Sequence, residues 1–461
     1  MKKKFKYFTI LFLTLGLVSL NSCSDDDGDG GENSDPTIVQ LAAGNADLSI
    51  LVTALTETGL DATLAGDGPF TVFAPTNDAF AAFLTDNGFA SLDDVPNDVL
   101  TQVLLNHVVA GEFFSNGLST GYVPSSSTAG PGGATLSLFI EAQTGVTVNG
   151  QSNVSIADID ASNGVVHVVD AVIGLPNVVD HVVANPSLSN LVEALTAGGN
   201  TTFTGLLSLD GPYTVFAPDN AAFANFNNPN GNDINNILAN HVIAGVAALS
   251  TGLSNSYVNT LGENADEDLL SLYINTDTGV VLNGSSTVTT ADIVGTNGVI
   301  HVVNEVIDIP TVVSFAVADP TFAPLVTALT TATPATDFAT VLSGDGPFTV
   351  FAPTDAAFQA LLDSNMDWTT VEDIEEGLLT SVLNHHVVSG NVRSGDLTDG
   401  IMPMTLEGDN ITINLPGTGD NIADVTDGAG NSGIGIVVVD VQAGNGVIHV
   451  LNQVMIPDTM N

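Results

Sequence analysis

The sequence predicts an α+β module written three times in tandem, and three observations carry that reading. Gly-Asp-Gly-Pro-Phe-Thr-Val-Phe-Ala-Pro-Thr-Asn-Asp-Ala-Phe at Gly66 to Phe80 returns at Leu209 to Phe223 and again at Gly344 to Phe358. A second segment keeps step with it: Asn163-Gly-Val-Val-His-Val-Val-Asp170, Asn297-Gly-Val-Ile-His-Val-Val-Asn304 and Asn445-Gly-Val-Ile-His-Val-Leu-Asn452. Phe73, Phe216 and Phe351 are 143 and 135 residues apart, far beyond the roughly 20 to 50 residues of a solenoid unit and sufficient for a domain with its own core. Third, each copy places amphipathic stretches first and valine-rich runs last, an order that fits α+β rather than a βαβ ladder. The copies span 36–176, 177–310 and 311–458.

Lys2, Lys3, Lys4 and Lys6 precede the apolar run Phe8 to Leu20, which reads as a secretory signal peptide over 1–22, too short for a spanning helix. Leu20-Asn-Ser-Cys23 resembles the lipobox of bacterial lipoproteins, which implies lipid attachment at Cys23. Cys23 is the only cysteine of 461 residues, so no intrachain disulfide forms and each module rests on packing alone. Residues 23–35, rich in Asp and Gly, read as a solvated tether. Acidic residues directly after the cysteine resemble the signal that sends lipoproteins of Bacteroidetes to the outer face of the outer membrane, so the expected location is the cell surface.

Without the signal peptide, Arg393 is the sole Lys or Arg against 52 Asp and Glu. Nucleic acid and anionic membrane surfaces are repelled by such a chain. A surface of this kind suits high ionic strength, where self-repulsion is screened.

Within each module the first helix starts near Thr37, Asn177 or Thr311, and Leu48, Leu51, Val52 and Leu55 recur at helical spacing. Asp67-Gly-Pro, Asp210-Gly-Pro and Asp345-Gly-Pro supply turns. Phe70 to Phe73 reads as a short strand ended by Ala74-Pro75, and Asn77, Asp219 and Asp355, or Thr76 and Thr354, cap the helix that follows. Thr135 to Ile140, Val146 to Val148 and Val165 to Val169 complete the module as strands. The links at Pro176-Asn177 and Pro310-Thr311 are so short that a semi-rigid array is expected.

Thr71-Val-Phe-Ala-Pro-Thr-Asn-Asp-Ala-Phe80 and Gly164-Val-Val-His-Val-Val-Asp170 resemble the two conserved boxes of the fasciclin (FAS1, beta-Ig-H3) domain family. Three matches to each box cover roughly residues 36 to 458. The resemblance implies three tandem FAS1 domains, each a wedge or sandwich of β-sheet with packed helices, used for cell adhesion and matrix binding. It also points to a Tyr-His position implicated in adhesion in some animal members. Here that position reads Asn106-His107, Asn240-His241 and His385-His386, without the tyrosine.

His167, His301 and His449 of the second box invite a metal or catalytic reading. Each stands alone between Val or Ile, however, with no second ligand at metal spacing, so a buried, hydrogen-bonded histidine is the expected state and no metal or catalytic set is assigned. Acidic clusters at Asp93-Asp94, Glu263 to Asp268 and Glu372 to Glu376 allow weak, multiple Ca²⁺ binding and no resident cofactor. No nucleophile elbow, phosphate loop or zincin motif occurs, so no enzyme is predicted. The expected function is multivalent adhesion to a cell-surface or matrix polysaccharide or glycoprotein. The rivals are a structural or assembly protein of the envelope, and a small-molecule binder or hydrolase in the third module. That module carries the glycine-rich excursion Leu415 to Gly435, read as a longer surface loop, together with Trp368 and Arg393.

Overall fold

The computed structural model describes residues 35–199, 201–332 and 337–458. The signal peptide, Cys23 and the tether before Asp35 lie outside the described residues. From Pro36 onward the three repeats belong to one unit, and the first shows the common plan.

It opens with three helices, α1 (Ile38–Gly44), α2 (Ser49–Thr58) and α3 (Leu60–Leu64). Thr37 starts α1 with a reciprocal capping box to Gln40, which satisfies two of the free amides of the first turn. Strand β1 (Phe70–Pro75) follows, then α4 (Asn77–Asp86), α5 (Asn97–Leu105) and β2 (Val108–Ala110). Strands β3 (Gly121–Pro124), β4 (Ser137–Glu141), β5 (Thr147–Val148), β6 (Ser152–Ala161) and β7 (Gly164–Val169) close the repeat. The strand order is β2-β1-β7-β6-β5-β4-β3.

The two repeated boxes are neighbours in space. β1 and β7 pair in parallel with Phe73 opposite His167, and the second and third repeats place Phe216 opposite His301 and Phe351 opposite His449. This explains why both strands are apolar without alternation: each is buried on both faces. Val72, Ala74, Val166 and Val168 face the helices with Leu55, Phe80 and Leu100, while Phe73 and Val169 face the other half of the sheet with Leu138 and Val109. β6 bends between those halves at two register shifts, flanking Ile156.

Several local expectations are refined. β1 runs through Pro75, which pairs with Val169 at the strand end where a missing amide costs least. The caps are Thr76, Asp219 and Thr354. Asn77 instead reaches back to α2, accepting from the Ile50 amide at 2.9 Å and donating to the Ala46 carbonyl at 2.9 Å. Gly68 has φ +53°, and a Cβ there would lie 2.2 Å from the Asn163 oxygen, so the turn before β1 admits only glycine.

Among the described residues the sheet of the third repeat has six strands rather than seven. Its glycine-rich excursion is not merely a longer surface loop: Ala423–Thr426 is a strand paired on both sides, with Ala423 and Val425 fully buried. Glycine content misled there because the buried apolar residues of that strand are only two and alternate with polar ones. Trp368 packs half-buried against the helical core.

Candidate functional site

The residues that sequence reasoning singled out fall into two buried sets, each built the same way three times. His107 follows the C-terminus of α5. Its Nε2 accepts from the Ile173 amide at 2.8 Å, which fixes the proton on Nδ1, and Nδ1 donates to the Val103 carbonyl at 2.7 Å. His241 does the same with Ile307 and Ile237, and His386 with Met455 and Val382. Burial pulls all three imidazoles down to about 4, against a smaller raising effect of the carbonyl each bonds. Each is a neutral staple between a helix end and the last segment of its repeat.

Asn106 and Asn240 are also fully buried. Their amides donate to the carbonyls of Gly174 at 2.7 Å and Asp308 at 3.1 Å. The six residues of the Tyr-His position are therefore interior groups. His385 ends the helix Glu376–His385 and His386 caps it, because the helical pattern of Leu379, Val382 and Leu383 continues up to them.

The second set lies within the sheet, on the buried strand of the second box. His167 donates from Nε2 to the Phe113 carbonyl at 2.9 Å, accepts at Nδ1 from the Asp158 amide at 3.2 Å, and lies 5.6 Å from the Phe73 ring. His301 and His449 repeat the Nε2 bond, to Ala248 and Val392. Both are fully buried, and desolvation lowers both. The Asp158 carboxylate 3.9 Å from His167 is engaged by the Ser115 amide and hydroxyl instead.

Asparagines of the second box do comparable work. Asn163 accepts from the Ile38 amide at 3.0 Å and donates to the carbonyls of Leu64 and Gly66, both at 2.8 Å, tying α1 and α3 to the sheet. Asn297 and Asn445 hold their repeats in the same way.

Three residues of the acidic clusters are spent on helix starts, and Asp268 is engaged by Asn391 and Arg393. Asp94 accepts from Ser91, Glu375 from the Leu378 amide, and Asp373 from the Thr369 and Thr370 amides and the Thr369 hydroxyl, which holds Asp373 down to about 2. Among the described residues one group approaches metal geometry: His385, Glu407 and Asp409, with ligand atoms within 4.8 Å of one another. Sequence reading did not bring it together because 22 or more residues separate the histidine from the carboxylates. Its imidazole is occupied: Nε2 accepts from the Gly428 amide at 3.0 Å, leaving Nδ1 to donate to Thr405 at 3.3 Å. A metal on either nitrogen would have to break that pairing, so the donor set does not fit an ion as it stands.

The repeats themselves meet through one contact used twice. At the first junction the Tyr122 hydroxyl donates to the His181 carbonyl at 3.2 Å, its ring lies edge-on to the imidazole at 5.7 Å, and the Val294 amide donates to Ser137 Oγ at 3.0 Å. At the second, Tyr257 donates to Asp319 at 2.9 Å, lies edge-on to Phe315 at 5.6 Å, and the Gln442 amide donates to Ser271 Oγ at 2.9 Å. Arg393 joins the second contact, with Nη1 2.6 Å from Asp268 and Nη2 3.8 Å from Asp440.

The boxes, their pairing and the repeated junction describe one domain type used three times. The family model of the fasciclin domain matches residues 46–176, 186–310 and 324–457. The chain belongs to the fasciclin domain family. Protein sll1483 of Synechocystis is 41% identical to it over 132 residues, covering 29% of this chain and 69% of that protein. Transforming growth factor-beta-induced protein ig-h3 of Sus scrofa is 26% identical over 406 residues, 88% of this chain and 55% of the relative, so the chain spans about half of that protein's length. Human periostin is 25% identical over 418 residues, 86% of this chain and 44% of that one. The solved FAS1 domain pair of the insect cell adhesion molecule fasciclin I covers 57% of this chain and 97% of its own, at 19% identity and a TM-score of 0.38.

What sequence reasoning missed in these fasciclin repeats is the joint between them. The signal was present: Tyr122 and Tyr257 stand at matching places before a valine, and the single arginine lies in the third repeat. Neither pattern says which surface a side chain meets, because a junction joins residues of different repeats.

Proposed function

We propose that this protein is a surface-anchored lipoprotein that attaches cells to a matrix or polysaccharide through three fasciclin domains, at 36–176, 177–310 and 311–458. The observation that carries the reading is the threefold family match on one chain. Adhesion suits repetition: sites on one chain raise each other's effective concentration, and avidity exceeds single-site affinity by roughly 10² to 10⁴ on a repetitive target. The paired junctions support simultaneous engagement, since both use the same tyrosine and serine positions to join successive repeats. Lipid on Cys23 and the acidic tether place the array on the outer face of the outer membrane.

Partners are neutral or cation-bridged surfaces rather than nucleic acid, because a body with one arginine among its acids repels polyanions. Protease applied to intact cells checks the location. Release of fasciclin fragments without lysis is the expected result, while protection until lysis favours a structural role inside the envelope.

A further inference from the structure

Both junctions between repeats carry a cleft at matching positions, and the second is the larger. At the first, Asn149, Gln151 and Asp180 surround a space of 150 Å³ beside Leu175-Pro176. At the second, two adjoining spaces of 290 and 370 Å³ share Asn230, Ile309, Pro310, Thr311 and Ser343. Gly344, which carries no side chain, lines the second cleft at the place where the second repeat has Leu209. The asparagine-rich segment 227–232 closes the opposite side, with Asn232 held to Asp308 at 2.8 Å. Each space alone lies near the low end of the roughly 300–1,000 Å³ that small-molecule sites occupy, and the two adjoining ones together fall within it.

The chemistry of this lining is selective. Amides and hydroxyls both donate and accept, as sugar hydroxyls do. The exposed Ser285 and Ser343 hydroxyls and the Asp345 carboxylate line it, while Ile309 and Pro310 offer an apolar strip for ring C–H groups. No cation stands in the wall. Arg393, the one Lys or Arg among the described residues, is engaged with Asp268, so an anionic sugar would meet Asp308 and Asp345 without a counter-charge.

We infer that the cleft between the second and third fasciclin domains binds a neutral hexose unit of a polysaccharide chain. The inference rests on the adhesion reading and names the class of ligand and the place that holds it. A half-open polar cleft gives a weak single site, which is the regime in which avidity matters.

The test uses the soluble chain 24–461 with laminarin and dextran as neutral probes and alginate as the polyanion, in calcium-free buffer at high salt. Ser343→Trp and, separately, Ser285→Trp block the cleft from exposed positions outside the cores. The expected result is retardation by a neutral glucan and not by alginate. Each tryptophan variant should weaken binding at least about tenfold with an unchanged melting temperature. Undiminished binding by both folded variants overturns the cleft while leaving adhesion standing, and so does attachment to cells that no neutral glucan competes for. A preference for alginate overturns the ligand class. If the wild-type chain binds neither glucan nor cells, both readings fall.

Discussion

His107, His181, His241 and His386 are neutral because burial outweighs the carbonyl each one bonds, and this fixes how the protein responds to acid. Each folded-state pKa is lowered to about 4 from the ordinary 6.5. Between those values the unfolded chain binds more protons, so this stabilisation is fully present above the unfolded value and is lost as pH falls toward the folded one. Each histidine contributes on the order of a few kcal/mol to that loss. Thermal melts in high salt should show the midpoint falling as the buffer is taken from neutral to about pH 4.5. His181 isolates one member of the set: the equivalent place at the second junction holds Phe315, and His181 Nδ1 has no hydrogen-bond partner. His181→Phe should stay within about 1.5 kcal/mol of wild type at neutral pH, as a near-isosteric change does, and should flatten the acid slope. An unchanged slope would show that His181 does not titrate with unfolding.

At the scale of elements, the second junction relies on one ion pair where the first uses none. Arg393 is partly buried between Asp268 of one repeat and Asp440 of its own. Arg393→Ala leaves those two carboxylates facing each other and should cost about 1–2 kcal/mol, more at low salt, in calorimetric melts. An equal melting temperature at low salt would show the junction held by Tyr257 and Phe315 alone. The helices and the buried central strands were legible in the sequence because their apolar periods are strong: Leu51 and Leu55 on one helix face, Val165 to Val169 as an unbroken run. The burial of His167 could be read from its valine neighbours. The tautomers could not, since they depend on amides 9 to 69 residues away, such as those of Asp158 and Met455. The strand Ala423–Thr426 stayed hidden for a similar reason: its partners define it more than its composition does. Both clefts were illegible because each needs two repeats in a fixed relation.

For the whole molecule, charge and repetition are the two governing facts. With Arg393 as the only cation against 52 acids beyond the signal peptide, the folded state carries self-repulsion that salt screens over roughly 10 Å at moderate ionic strength. The melting temperature should therefore rise with added sodium chloride, and a flat response would remove the case for a saline setting. Repetition bears on function more directly. Tyr257 and Tyr273 of the second repeat pack into the core of the third, so those two repeats share buried packing. The decisive measurement is saturation binding of the soluble chain 24–461 to polysaccharides and whole cells, beside each isolated repeat checked for folding by circular dichroism. Multivalent adhesion predicts saturable binding by the array that falls by roughly 10² or more for any single repeat. Equal binding by one repeat, or none by the array, would contradict it.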